Sequence, residues 1–272
     1  MPELPEISLL ADQLDTAISG LRIDGVHVTQ PKCLNVAPGE LAQGLRDCTV
    51  SGARACGKWV MLALSNDREL ALNLGMGGEI LLLGPGDTEP TGKVAIRLRL
   101  CPAHQLTIGF WWFGHVHLLP ADGAPEHPTR NLGPGALALE LPEFAALVRR
   151  CAATGIKSLL LNQKRIAGIG NVYNQDALWA AGIHPLRRAG SLSTVEVSRL
   201  HSALQEHLRH AMDCGGSEQE LDLYGNPGHF GRAQFRVAYR PDKPCPRCQT
   251  SIVKIKTGGT SSHICPTCQP AR

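Results

Sequence analysis

Gln163-Lys-Arg-Ile-Ala-Gly-Ile-Gly-Asn-Val-Tyr173 is the stretch on which the fold turns. Gly168 and Gly170 mark a tight turn, and a helix is expected to open at about Asn171. Backbone N–H groups at such a helix start can hold a phosphate. Lys157, Lys164 and Arg165 place positive charge beside it. Taken alone, the same residues also fit a plain glycine turn between two core helices.

Helices are expected on either side. Leu141-Pro142-Glu143 opens a short one that runs through Arg150. Ser193-Thr-Val-Glu196 is a capping box ahead of a helix carrying Val197, Leu200, Leu204 and Leu208, and Gly215-Gly216 ends it. Further on, Cys245-Pro-Arg-Cys248 and Cys265-Pro-Thr-Cys268 form a zinc-ribbon pattern. Two CxxC knuckles bring four thiolates to one ion and leave no open position, so this zinc is expected to be structural. Ser251–Lys256 and Thr257–Ser262 between them read as a β-hairpin. So small a finger depends on its metal to fold. No organic cofactor is implied.

The N-terminal half reads differently. Glu6 to Ile18 places Leu10, Leu14, Ala17 and Ile18 on one helical face, and Gly20 stops it. Strands follow at Lys58–Leu64, Glu69–Leu74, Val94–Leu100 and Leu106–Ile108, with turns at Ser65–Asp67 and Pro102–Gln105. Pro120–Pro134 reads as a connector. The expected class is therefore α+β and multidomain: an antiparallel β domain over 1–119 with a leading helix, a linker over 120–136, a helical domain over 137–236 and a finger over 237–272.

The 272 residues carry 27 Lys and Arg against 24 Asp and Glu, a net charge of +3 that permits nucleic-acid binding without requiring it. No apolar run reaches the about 20 residues that span a bilayer. No basic segment precedes an apolar run at the start, so a secretory signal is not expected. These features predict a cytoplasmic protein, and a monomer is expected. Cys33, Cys48, Cys56, Cys101, Cys151 and Cys214 are scattered and read as small core residues.

The chain starts Met1-Pro2-Glu3-Leu4-Pro5-Glu6. Proline in second place allows Met1 to be removed. A secondary amine beside a carboxylate would then head the chain and could form an iminium with an aldehyde-like carbon.

Pro-Glu-Leu-Pro-Glu, Gly-Lys58, Leu74-Gly-Met76, Gly168-Ile-Gly-Asn171 and the four-cysteine finger occur in this order and spacing in one family. The chain resembles formamidopyrimidine-DNA glycosylase and its relative endonuclease VIII, from Met1 to about Gln269. The resemblance implies an N-terminal β-sandwich, a helix–two-turn–helix domain, a zinc finger and damaged DNA in the cleft between the halves. It implies that Pro2 attacks C1′ of a flipped-out nucleotide and that the Schiff base allows phosphate elimination. Glu3 would act as acid and base at the sugar oxygen, and Glu6 would support the site. Lys58 would contact phosphate, and Met76 would fill the space of the extruded base. Lys157 and Asn171 match phosphate-gripping positions, with Gly168 and Gly170 shaping that turn. Asp176 stands where the family usually has Glu. Gly225-Asn226-Pro227-Gly228-His229-Phe230 looks like the start of a mobile loop that closes over the damaged base.

This member diverges on the surface that reads DNA. The family's Asp-Pro-Arg-Arg-Phe-Gly aligns with Gly109-Phe-Trp-Trp-Phe-Gly114, so Trp111 and Trp112 replace two arginines and only the wedge Phe113 survives. Asn73 replaces a histidine, and Thr260 replaces the finger's phosphate-binding arginine. Lost phosphate contacts weaken binding, whereas stacked tryptophans can restore it. The expected function is a bifunctional DNA glycosylase and AP lyase that excises oxidised, ring-opened or alkylated purines, with altered lesion choice: a bulky or alkylated purine, including ring-opened N7 adducts, or damage in single strands or bubbles. A non-catalytic damage sensor and a zinc-dependent protein scaffold are the competing readings.

Overall fold

The computed structural model describes residues 1–88, 90, 92–120 and 124–271. Residues 121–123 of the expected linker and residue 272 of the finger lie outside the described residues. In chain order the elements are α1 (Leu4–Ile18), β1 (Arg22–Val28), α2 (Pro38–Leu45), β2 (Val50–Cys56), β3 (Trp59–Leu64), β4 (Glu69–Asn73), β5 (Glu79–Leu83), β6 (Val94–Cys101), β7 (His104–Gly109), β8 (His115–Leu119), α3 (Leu141–Arg150), α4 (Ile156–Leu161), α5 (Tyr173–Ala181), α6 (Thr194–Asp213), β9 (Val253–Thr257) and β10 (Thr260–Ile264).

Two compact units are formed. One is Met1–Arg130 with Cys214–His229, and the other is Asn131–Asp213 with Phe230–Arg272. This differs from the four-segment division read from sequence. The segment after α6 returns to the N-terminal unit, and the finger packs within the helical one.

In the first unit two antiparallel four-stranded sheets, β1-β6-β7-β5 and β2-β3-β4-β8, make a sandwich. Their inner residues, among them Ile23, Leu62, Leu72, Ile96, Leu98, Leu106, Ile108 and Val116, form one core with Ile7, Leu10, Leu14 and Ile18 of α1. Each such fully buried side chain contributes about 1.5–3 kcal/mol relative to exposure. Ala17 is only partly buried at the edge of that core. α1 starts two residues earlier than its apolar face suggests. Glu3 caps it, and Glu6 reaches back to the Glu3 N–H at 2.8 Å. The β6–β7 turn is tighter than expected, because Leu100 already pairs with His104. Cys33, Cys48 and Cys151 are buried, whereas Cys56, Cys101 and Cys214 are half-buried rather than core residues.

In the second unit α3 and α6 occupy the expected spans. Ser193 and Glu196 form the capping box, with the Ser193 N–H donating to Glu196 Oε2 at 2.8 Å and the Glu196 N–H to Ser193 Oγ at 3.3 Å. Asp176, 2% exposed, accepts the N–H groups of Arg236, Val237 and Ala238 at 2.8, 2.8 and 2.9 Å. Hydrogen bonds to a charged acceptor are each worth about 1.5–3 kcal/mol, so this carboxylate fixes the chain's approach to the finger. The finger in turn takes its apolar contacts from α5. Trp179 packs with Val237, Cys245, Ile252 and Cys265.

Candidate active site

Four of the expected catalytic residues meet at the start of α1. Pro2, Glu3 and Glu6 are buried there, Glu3 at 3% and Glu6 at 4% exposure. Lys58 lies in the two-residue loop between β2 and β3. Pro2 and Lys58 line one narrow crevice with Met1, Ile7, Asn73, Leu74 and Gly75. Glu6 is held at both oxygens, by the Glu3 N–H and by the Ser217 N–H at 2.9 Å. Gly216 makes this approach possible. It has φ +84°, and a Cβ there would lie 3.1 Å from Glu6 Cγ.

Two residues that the sequence did not single out belong to this site. Ser217 holds Glu6. Glu220 faces the first amine of the chain, with Oε1 2.9 Å from the Met1 nitrogen. Burial raises the Glu220 carboxyl, the facing amine pulls it back down, and Glu6 adds to the rise. Their only signal in the sequence was the Gly215-Gly216 pair, which reads equally well as a plain helix stop.

Asn73, expected to bind DNA, is half-buried and makes a local tie. Its Nδ2 donates to Lys58 O at 2.9 Å, and its Oδ1 accepts from the Gly75 N–H at 3.1 Å. The amide therefore fixes the Lys58 loop against the next turn. At that turn Gly75 has φ +53°, and a Cβ there would come within 2.1 Å of Trp112 O. The Met76 N–H donates to Trp112 O at 2.9 Å and the Trp111 N–H to Met76 O at 3.2 Å. This backbone clasp presents Met76, Trp111, Trp112 and Phe113 to solvent, 49, 71, 63 and 76% exposed. None of the three aromatics packs into the β core. Phe113 adopts the left-handed conformation with φ 57°, a sparsely populated state for a bulky residue that clusters at functional sites.

The second unit changes the reading of Lys157. Its side chain is buried, and Nζ donates to Thr257 Oγ1 (2.9 Å), Thr260 Oγ1 (3.0 Å), Ser261 O (3.0 Å) and Ser262 Oγ (2.7 Å). Burial lowers this amine to about 8. Lys157 therefore binds α4 to the β9–β10 hairpin instead of facing a phosphate. Thr260, expected on the DNA-binding surface, spends its hydroxyl on that amine. Gly168 (φ +97°) and Gly170 form the expected turn, but α5 begins at Tyr173, two residues beyond Asn171. The Asn171 Oδ1 is buried there with no hydrogen-bond partner among the described residues.

The Gly225–Phe230 stretch divides. Gly225, Asn226, Pro227 and His229 are exposed, and Gly228 is buried against Gly216. Phe230 is corrected from loop to core. It is fully buried, with its ring 5.2 Å from those of Tyr173 and His207 and 5.4 Å from that of Phe235.

Cys245, Cys248, Cys265 and Cys268 converge with all four sulfurs within 4.8 Å of one another. The Cys248–Cys265, Cys248–Cys268 and Cys245–Cys268 separations are 3.3, 3.5 and 3.9 Å. A tetrahedron of Zn–S bonds of about 2.3 Å needs sulfurs about 3.8 Å apart, so the donor set and its spacing fit one structural zinc. Thr250 holds Cys248 down to about 6, and burial pushes Cys268 up to about 12. A bound zinc would displace that proton and hold the two knuckles together. Arg247 lies over the Trp179 ring at 4.4 Å, next to the finger's apolar cluster.

The comparisons agree along the chain. The formamidopyrimidine-DNA glycosylase N-terminal domain model matches residues 1–109, the formamidopyrimidine-DNA glycosylase H2TH domain model matches 132–222, and the zinc finger found in FPG and IleRS matches 242–271. Formamidopyrimidine-DNA glycosylase of Roseiflexus sp. (strain RS-1) is 38% identical over 99% of this chain and 100% of its own length. That of Chloroflexus aurantiacus is 35% identical over 99% and 98%. A Lactococcus lactis FPG mutant in complex with Fapy-dG containing DNA superposes with a TM-score of 0.90 at 27% identity, covering 99% and 100% of the two chains. The wild-type Lactococcus lactis protein with N7-benzyl-Fapy-dG DNA gives 0.88 at 28%, with the same coverage. The crevice at Pro2, the aromatic tip and the four-cysteine centre are thus set in a chain that belongs to the formamidopyrimidine-DNA glycosylase family of DNA-repair glycosylase/AP lyases.

Proposed function

We propose that this enzyme excises damaged purines from DNA through a Schiff base on Pro2. The observation that carries this reading is the burial of Pro2, Glu3 and Glu6 at the head of α1, with Pro2 and Lys58 lining one crevice. Once Met1 is removed, the Pro2 nitrogen attacks C1′, and the base leaves. Glu3 serves as acid and base at the sugar oxygen. Glu6 fixes the helix start, and Lys58 contacts the adjacent phosphate. The Gly168–Asn171 turn, which matches the family's phosphate-gripping motif, lies beside a further phosphate. Gly225–His229 borders the lesion. The partner is damaged DNA, met by a cytoplasmic monomer. No helix among the described residues is long and apolar enough to cross a membrane.

Met76 and Phe113 enter the stack at the vacated position, and Trp111 and Trp112 replace charged readout by stacking. Every base offers a π face, so this tip tolerates whatever stands opposite the lesion. The favoured substrates are bulky or alkylated purines, including ring-opened N7 adducts, and damage in single strands or bubbles. The Lactococcus lactis relative found with N7-benzyl-Fapy-dG DNA supports the first class. Borohydride trapping across oxidised, ring-opened, bulky alkylated and abasic sites, in single- and double-stranded DNA, tests the reading. A covalent adduct is expected, and its absence from the whole panel would defeat it.

The tip carries its own prediction. Changing Trp111 and Trp112 together to Ala removes two stacking faces at about 1–3 kcal/mol each. The Kd for abasic duplex should rise at least about 30-fold, with thermal stability unchanged because both rings are exposed. Fluorescence anisotropy checks this, and an unaltered Kd would refute stacking by these rings.

A further inference from the structure

Glu220 sits on a fixed segment, not a free loop. The Ser217 N–H donates to Glu6 Oε1 at 2.9 Å, the Glu220 N–H to Ser217 O at 3.1 Å, and the Gly228 N–H to Glu220 O at 3.3 Å. Its side chain is 13% exposed and already binds the amine that begins the chain. Losing Met1 moves that amine by one residue, about 3.8 Å, which a glutamate side chain spans by rotation. The other charged groups around the crevice are Glu3 and Glu6 on α1 and Lys58 on the β2–β3 loop. Both Glu6 oxygens are held by backbone N–H groups, and Glu3 is assigned to the sugar oxygen. Lys58 is assigned to the adjacent phosphate.

We propose that Glu220 binds the Pro2 amine and accepts the proton this nitrogen sheds as it bonds to C1′. The inference rests on the Pro2 reading above. The Pro2 ammonium first loses one proton to solvent. The neutral nitrogen then gives its lone pair to C1′, and the C1′–base bond breaks with its pair leaving on the base, which takes a proton from water. The nitrogen, now cationic with one hydrogen left, passes that hydrogen to Glu220 as a proton. Glu3 protonates the ring oxygen while the N=C1′ bond forms and the sugar opens. Burial, by raising Glu220, brings donor and acceptor closer in proton affinity, the condition under which such transfer is efficient.

Glu220→Gln keeps the shape and removes the acceptor. Single-turnover trapping on abasic duplex, followed across about pH 5 to 9, should show a maximal rate at least about tenfold lower. The pH of half-maximal trapping should fall by about one unit, because the amine loses its anionic neighbour. Melting temperature and abasic-DNA affinity should stay at their wild-type values, and Glu220→Asp should retain part of the rate. An unchanged maximal rate overturns the proposal, whether or not the midpoint moves. So does a variant that traps abasic sites normally but no longer excises bases, since the carboxylate would then serve the lesion. A wild-type enzyme that traps nothing is a different failure and counts against the Pro2 reading itself.

Discussion

Covalent trapping is expected to vanish when the Pro2 nitrogen is acylated. An N-terminal extension, or retention of Met1, turns that nitrogen into a tertiary amide. Its lone pair is then delocalised into the carbonyl, as in any peptide bond. A free α-amino group, by contrast, titrates at about 7.7–8.0 and is partly unprotonated near neutrality. The Met1 amine is no substitute, because it stands one residue, about 3.8 Å, away from the Pro2 nitrogen. Binding should persist, since Met76, Trp111, Trp112 and Phe113 are untouched. Mass spectrometry of the terminus, run beside borohydride trapping on abasic duplex, checks the expectation. A trapped adduct on fully acylated protein would refute the proline mechanism, whereas bound but untrapped DNA supports it. The same measurement separates the enzyme from a non-catalytic sensor, for which acylation would change nothing.

Removing zinc is expected to have the next largest effect. Metal binding in isolated fingers is worth about 10–16 kcal/mol at neutral pH, and the β9–β10 hairpin has little core of its own. Its buried apolar residues lean on Trp179. Loss of the metal should therefore free the hairpin, and with it all four acceptors of the Lys157 ammonium. A cation left buried without partners is strongly destabilising, so α4 should loosen too. Hydrogen exchange with and without a chelator should show lost protection over 245–268 and 156–161, with the β-sandwich unaffected. Unchanged protection in a sample proven free of metal would overturn this. Cys265→Ser should reproduce the chelator's effect.

The elements legible in the sequence were those with local causes. The four cysteines needed only spacing. α6 carried its own capping box, and α1 its apolar face. The hairpins at β3–β4 and β6–β7 followed from alternation and turns. By contrast, β1, β2 and β5 went unread because their residues face mixed surroundings and show no clean alternation, and β8 because its alternating stretch, His115–Leu118, is only four residues long. α4 spans only six residues, too few for a periodic pattern. The site divides in the same way. Pro2, Glu3, Glu6, Lys58 and the aromatic tip were named from resemblance, and the structure lays Pro2 and Lys58 along one crevice at the head of α1. Lys157 was misread because a lysine in sequence cannot disclose four oxygens lying a hundred residues downstream. Ser217 and Glu220 were missed for the same reason, since their partners stand more than two hundred residues upstream.

The return of Cys214–His229 to the first unit has a consequence for synthesis. On the ribosome, the β-sandwich emerges long before the segment that completes its active end. Until residue 217 is made, Glu6 lacks the Ser217 N–H, and until residue 220 the terminal amine lacks its carboxylate. Such distant closures are slow and leave partly finished states exposed. The helical unit, inserted between them, must be made before the surroundings of Pro2 can close. A fragment ending at Arg130 would hold every strand of the sandwich and still lack the Ser217 and Glu220 contacts at its N-terminus. The nascent chain therefore carries its N-terminus from the first and completes the surroundings of that N-terminus late.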